Sequence, residues 1–343
     1  MNAGQRTTPT TPPTPRRDRV LRSDHGVDRV DDFAWLRDTS SPEVLAHLAA
    51  ERAWYDAATS HGRSLVETLT AEMSSRVPPA DRSVSWRRVQ FSYYTFTPTG
   101  REYPQLMRVR HHSDGLAATE SVAESAHPDG LPTPEVLFDA AHYADGSGYV
   151  DVGVQQVSPD ERWLAYSLDT TGEEVFRLAF RDLARGLDLD EVIPRTYYSG
   201  AWSADSSTFF YTVHDDAYRP YQVWRHRLGS AVQDDVCVLD EPDARFELTV
   251  RHTRSGDLVV ATARSRETTE VWLVDAHSPT QEATCVEPRR RGVEYDVEHA
   301  RLASGRDVLL LLTNDGATEF RLMEAPLATP GREHWHERIA ENP

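Results

Sequence analysis

The chain has 343 residues, 39% hydrophobic and 27% charged, with 37 basic against 55 acidic side chains for a net charge of −18. That length holds two or three ordinary domains or one large repeat architecture, and the acidic balance argues against a nucleic-acid partner, which selects a basic face. No stretch approaches the roughly 18 consecutive apolar residues of a membrane helix, so neither nucleic acid nor membrane is an expected partner.

Residues 1–19 are rich in proline and threonine, with almost nothing to bury, and read as a disordered tail. No apolar segment follows that would make a secretory signal, so a cytoplasmic location is expected. Residues 20–79 read as a helical segment. Ser40 or Ser41, followed by Pro42 and Glu43, supplies a capping hydroxyl, a first-turn proline and an acid near the positive end of the helix dipole. Val44, Leu45, Leu48, Ala49, Ala53 and Trp54 then recur at three and four, and Leu65, Val66, Leu69 and Met73 continue the stripe beyond Gly62. One long or two consecutive helices are predicted over 41–76, ended by Pro78 and Pro79.

From residue 80 the period changes to two, and apolar runs come in pairs. The predicted hairpins are 89–96 with 105–110, 163–168 with 175–183, 208–213 with 222–228, 258–263 with 270–275, and 308–313 with 320–325. Ser158-Pro159-Asp160 and Ser203-Ala204-Asp205 occupy the same place in their units, 45 residues apart, and Phe176, Trp224, Trp272 and Phe320 fall 48 apart. A period in the forties with about four short strands per unit predicts a β-propeller, in which each unit buries its faces only against its neighbours. None of the eight tryptophans precedes an aspartate, which disfavours the WD-repeat class.

Cys237 and Cys285 are also 48 apart, each in a short apolar strand. Two cysteines make neither a disulfide framework nor a four-thiolate zinc site, and these read as equivalent buried positions rather than redox or metal ligands. His111-His112 and His334-Trp335-His336 lack cysteines nearby or a helical i, i+4 partner and read as loop residues. Arg289-Arg290-Arg291 after Pro288 reads as a solvated turn in preference to an anion site. No glycine-rich phosphate loop is present, and the lysine such a loop needs occurs nowhere in the chain. No metal or cofactor is expected.

Particular residues then point to a family. The run from His25 through Gly26, Arg29, Asp31, Phe33 and Trp35-Leu36-Arg37-Asp38 resembles the opening segment of the prolyl oligopeptidase family of serine peptidases. Within it, Gly100–Pro104, Pro220–His226 and Pro288–Tyr295 through His299 are most similar to the oligopeptidase B branch. The resemblance implies a helical segment that packs on a C-terminal α/β-hydrolase domain, a seven-bladed propeller that keeps folded proteins from the catalytic cavity, and cleavage of short basic peptides after arginine or lysine.

Acyl transfer by a serine needs a strained strand–turn–helix elbow, then an acid and a histidine. Asp145-Gly146-Ser147-Gly148 has no apolar strand leading into it, and Gly200-Ala201-Trp202-Ser203 places its serine at the wrong offset. No catalytic or substrate-binding residue is assigned. Five hairpins against seven blades predict an incomplete propeller over 80–343 in a truncated chain, inactive without its hydrolase domain. The alternative is a non-enzymatic propeller scaffold for protein–protein interaction.

Overall fold

The computed structural model describes residues 11–111, 133–144 and 148–342. Most of the expected tail (1–10), His112 and the turn residues 145–147 lie outside them. The chain divides into two compact units, Met1–Pro79 and Ala80–Pro343.

The first unit opens with a hairpin of β1 (Val20–Asp24) and β2 (Val27–Asp31). His25 and Gly26 form its two-residue turn, both at positive φ (53° and 77°), as the right-handed twist of a hairpin requires. Two helices follow, α1 (Pro42–Ala58) and α2 (Arg63–Ser75), joined by a 3₁₀ turn at Ser60–Gly62. Pro42 sits at the first turn as expected, but Ser41 makes no side-chain cap, and the Ser40 hydroxyl donates to Asp38 (2.6 Å) instead. Arg16 pairs with Glu43 (2.6 Å), and Trp35 Nε1 donates to the Arg16 carbonyl (3.0 Å).

The second unit is all antiparallel strand. β3 (Asp81–Arg82) and β4 (Trp86–Arg87) pair β5 (Phe91–Thr97), followed by β6 (Gln105–Arg110) and β7 (Glu135–Asp139). Next come β8 (Asp151–Val157), β9 (Trp163–Asp169), β10 (Phe176–Asp182) and the long β11 (Leu187–Trp202). Then follow β12 (Thr208–His214), β13 (Pro220–Arg227) and β14 (Val236–Asp240). Two four-stranded sheets complete it. The first is β15 (Glu247–His252), β16 (Leu258–Arg264), β17 (Thr269–Asp275) and β18 (Thr284–Glu287). The second is β19 (Tyr295–Arg301), β20 (Asp307–Thr313), β21 (Arg321–Pro326) and β22 (His336–Ile339). All five predicted hairpins are present. The first half of β11 pairs β10 and its second half pairs β12, so two four-strand units merge into one seven-stranded sheet.

The repeat is visible in the turn after the first strand of each unit. Glu161, Ser206, Gly256 and Gly305 all have φ between 59° and 80°. Their N–H groups donate to Ser158, Ser203, Thr253 and Leu302 carbonyls at 2.8–3.0 Å. In the two units where the sequence repeats Ser-x-Asp, the serine donates to the aspartate (2.5 and 2.6 Å) and accepts from the next strand. The 48-residue spacing needs correction at its ends. In the third strands, Ala179, Trp224, Trp272 and Met323 are the matched residues, facing Tyr166, Tyr211, Ala261 and Leu311. Phe176 and Phe320 are not equivalent to the tryptophans, because the loops differ in length from unit to unit. Phe320 precedes β21 at φ 64°.

Four buried clusters lie between consecutive units. The first joins Phe91, Tyr93 and Leu106 to Leu164 and Tyr166. The second joins Leu178 and Phe180 to Trp202, Phe209 and Tyr211. The third joins Phe210 and Val223 to Leu248 and Val259, and the last joins Val260 and Val271 to Val297, Leu309 and Leu311. Each unit is thus buried by its neighbours and has no core of its own. Packing is tight enough at Gly200 that an added Cβ would stand 2.4 Å from the Phe209 ring.

Candidate functional site

In the helical unit the predicted stripe forms, and most of it faces outward. Val44 is buried, whereas Leu45, Leu48, Leu65, Val66, Leu69 and Met73 are 46–67% exposed. Tyr55 is also exposed, and on the hairpin so are Leu21, Val27 and Val30. Singly exposed leucines are ordinary; a run of them along two consecutive helices is the signature of an interaction surface.

In the strand unit the first strands of successive units stand side by side. Gln156 Nε2 donates to the Gly200 carbonyl (2.7 Å), Val250 N–H to Ser199 Oγ (3.1 Å), and Arg251 Nη2 to the Val297 carbonyl (2.5 Å). At the starting ends of these strands, acids and tyrosines gather. Tyr198 Oη donates to Asp151 (3.5 Å), Tyr198 packs edge-on against Phe176 and Tyr197, and Tyr197 lies against His214. Burial, then the charges of Asp151 and Glu174, push the Tyr198 phenol up to about 12. Tyr197 is raised by burial and by Glu174 and Glu247. A rim of carboxylates beside aromatic faces favours cations over anions.

No helix among the described residues is long and apolar enough to cross a membrane. Cys237 and Cys285 pair across strands with Trp224 and Trp272, at matched positions as the spacing predicted. Burial raises both thiols, Cys285 to about 12, which keeps them protonated and unreactive at neutral pH. His111 meets the Ser92 hydroxyl (3.0 Å); His334 is half-buried and His336 exposed, and Trp335 between them is buried with Nε1 donating to the Pro330 carbonyl (2.8 Å). The arginine run is not a freely solvated turn. Arg289 is bound by Glu241 and Glu270, and Arg290 by Asp315 (2.8 Å), leaving Arg291 as the exposed member.

A cavity of about 390 Å³ holds Asp257, His277, His299 and Asp307. Beside it Ser255 Oγ stands 2.8 Å from His299 Nδ1, and His299 Nε2 stands 3.5 Å from Asp307. The set has the residue types of a serine nucleophile and its base, and no sequence signal marked it. Its hydroxyl is already engaged by Thr253 Oγ1 (2.9 Å) and the Asp257 N–H (3.2 Å), in a turn between two strands rather than on a strand-to-helix elbow. His299 Nε2 is buried and makes no hydrogen bond among the described residues, Asp307 standing only at ion-pair distance, so the imidazole lacks the carboxylate hydrogen bond that would orient a base. The cluster is structural, tying the β15–β16 turn to β19.

Four-stranded antiparallel units, buried only against each other and aligned through their first strands, define a β-propeller. Residues 12–343 match the family model described as prolyl oligopeptidase, N-terminal beta-propeller domain. The chain belongs to the prolyl oligopeptidase family. It is 33% identical over 305 residues to Protease 2 of Moraxella lacunata, covering 88% of this chain and 42% of that protein. It is 31% identical over 335 residues to dipeptidyl aminopeptidase BI of Pseudoxanthomonas mexicana, covering 96% and 45%. Among solved structures, oligopeptidase B of Leishmania major superposes with a TM-score of 0.81 at 25% identity, over 97% of this chain and 46% of that one. Oligopeptidase B of Trypanosoma brucei with covalently bound antipain gives 0.80 at 27%, over 96% and 46%. The chain therefore spans less than half the length of these relatives.

Proposed function

We propose that this chain is the N-terminal propeller part of an oligopeptidase B-like serine peptidase. Residues 20–79 dock on an α/β-hydrolase domain, supplied by further sequence or in trans, and residues 80–343 form part of a seven-bladed propeller that filters access to it. The observation that carries this reading is the exposed leucine, valine and methionine face of α1 and α2, too extensive to be left to water. The last sheet supports a further blade against it: Leu312 and Ile339, on the face away from the fourth cluster, are 47% and 63% exposed. The acidic and aromatic rim around Asp151, Glu174 and Tyr198 supports short basic peptides, cut after arginine or lysine, as the substrates of the complete enzyme. The two unbonded cysteines suit a reducing cytoplasm.

The test is an assay of the purified chain on arginyl peptide amides, alone and with the hydrolase domain of a relative. The expected result is no turnover alone and turnover on addition. Turnover by the chain alone, abolished by a serine-directed phosphonate, would overturn the assignment.

A further inference from the structure

Beside the β15–β18 sheet, the loops 241–246, 265–268 and 288–294 border an open cavity of about 880 Å³ lined by Arg245, Arg266, Arg289 and Arg291, with Phe246 and Glu267 between them. We propose that it is an oxyanion site, taking a carboxylate or a phosphate group.

One of the four guanidinium groups, Arg289, is fixed in place. Arg289 gives Nε and Nη2 to Glu270 (3.1 and 2.7 Å) and Nη2 also to Glu241. Its plane lies 4.0 Å over the Phe246 ring. Glu241 and Glu270 are 3% and 8% exposed, so this fork is held from behind by carboxylates that solvent does not screen. Arg245, largely exposed, pairs through Nε and Nη2 with Asp243 (3.0 and 2.6 Å). In both, the anchoring carboxylates use one edge of the fork and leave Nη1 without a partner. Among the described residues Arg266 has no ion-pair partner, and Arg291 has only Glu267 at 3.6 Å. An ordered fork that costs little to position, next to three more exposed guanidinium groups, is the arrangement that binds carboxylate and phosphate oxygens.

The charges set the affinity. Counting the anchoring acids and Glu267, the pocket is close to neutral, so attraction comes from directed donors at short range and not from net charge. Binding is therefore millimolar and weakens with salt.

The test is calorimetric titration of the full chain at low ionic strength with inorganic phosphate and with N-acetyl-trialanine as the free acid, the amide serving as the uncharged control. Saturable binding of at least one anion and none of the amide is expected. Phosphate alone marks a phosphate-bearing ligand, and the tripeptide acid alone marks a peptide carboxylate. Arg266→Ala and Arg291→Ala each weaken it about tenfold, and Glu267→Gln tightens it about twofold by freeing Arg291. All three positions are exposed, so the thermal midpoint should stay unchanged and report that the variants fold. Absence of saturable heat from either anion up to 50 mM, or binding that the Arg266→Ala/Arg291→Ala double variant leaves intact, overturns the proposal.

Discussion

Leu45, Leu48, Leu65 and Leu69 of the helical unit recur at helical spacing and stay 46–61% exposed, whereas Leu106, Leu164, Leu178, Leu248 and Leu309 of the strand unit are exposed by 2% or less. The hydrophobic pattern is regular in both. The difference lies in what covers it: each strand unit has a neighbour of its own kind, so the repeat supplies both sides of every buried layer. The helices have no repeat partner. A periodic stripe specifies which face is apolar and leaves open what lies against it, so the same pattern reports a core in one region and an uncovered face in the other.

The contrast is broken most forcefully from the strand side. Phe209 is fully buried against Phe180 and Trp202. Phe209→Ala should cost about 3–5 kcal/mol, as large aromatic deletions do, with the denaturant midpoint as the readout. The vacated volume lies between two consecutive units, so the loss should appear as a single shift of the strand-unit transition and not as fraying of one hairpin.

Next in size is a polar link between two units. His226, fully buried, meets Glu191 with Nε2 (2.8 Å) and Asp235 with Nδ1 (2.7 Å) and stacks on Phe180. Glu191 lies in the part of β11 that pairs β10, while Asp235 stands before β14, so the ring bridges two units. Asp235 also accepts from Tyr211 Oη (2.7 Å). His226→Leu removes the donor and leaves two carboxylates facing an apolar group, at about 3 kcal/mol by equilibrium unfolding. If the variant unfolds like the parent, the link is ornamental and apolar packing alone sets the order of the units.

A smaller effect is set by pH. Burial acts to raise the Asp315 carboxyl, but hydrogen bonds from Arg290 and Arg332 overcome it and hold the group at about 2, against its ordinary 3.8. A depressed acid stabilises the folded state above its unfolded pKa, and that contribution is lost as pH falls from near 4 toward 2. Asp315→Asn should therefore flatten the stability curve over that window. The loss at neutral pH should be about 1 kcal/mol, because the half-exposed Arg332 is screened by solvent.

The five hairpins were legible because alternation and turn residues act locally, and the paired cysteines because they share one strand register. The first four residues of β11, Leu187–Asp190, were not: they are largely exposed with acids at alternate places, which reads as loop until they pair β10. The units' true spacing was blurred at Phe176 and Phe320 by loops of unequal length. Glu161 escaped notice entirely. Its carboxylate accepts from the Gln90 and Phe91 N–H groups (2.7 and 3.2 Å) and the Tyr93 hydroxyl (3.1 Å), about 70 residues away, and nothing local to a turn acid foretells that. The arginine cavity was hidden likewise, since its four cations come from three loops that only the stacked sheets bring together.

The smallest expected effect carries the other half of the comparison. Leu69, 46% exposed on α2, neighbours Leu65 and Val66 one turn before it and Met73 one turn after, all more exposed still. Leu65→Ser and Leu69→Ser remove side chains that stay about half exposed in the free chain, so stability should move by no more than about 1 kcal/mol. Each should instead weaken association with the hydrolase domain used for complementation, because apolar surface is then withdrawn only on docking, at roughly 25 cal/mol per Å². The two measurements must diverge. A serine at 69 that destabilised the free chain by several kcal/mol would mean the stripe is already covered within its own unit, and the contrast between the two regions would collapse.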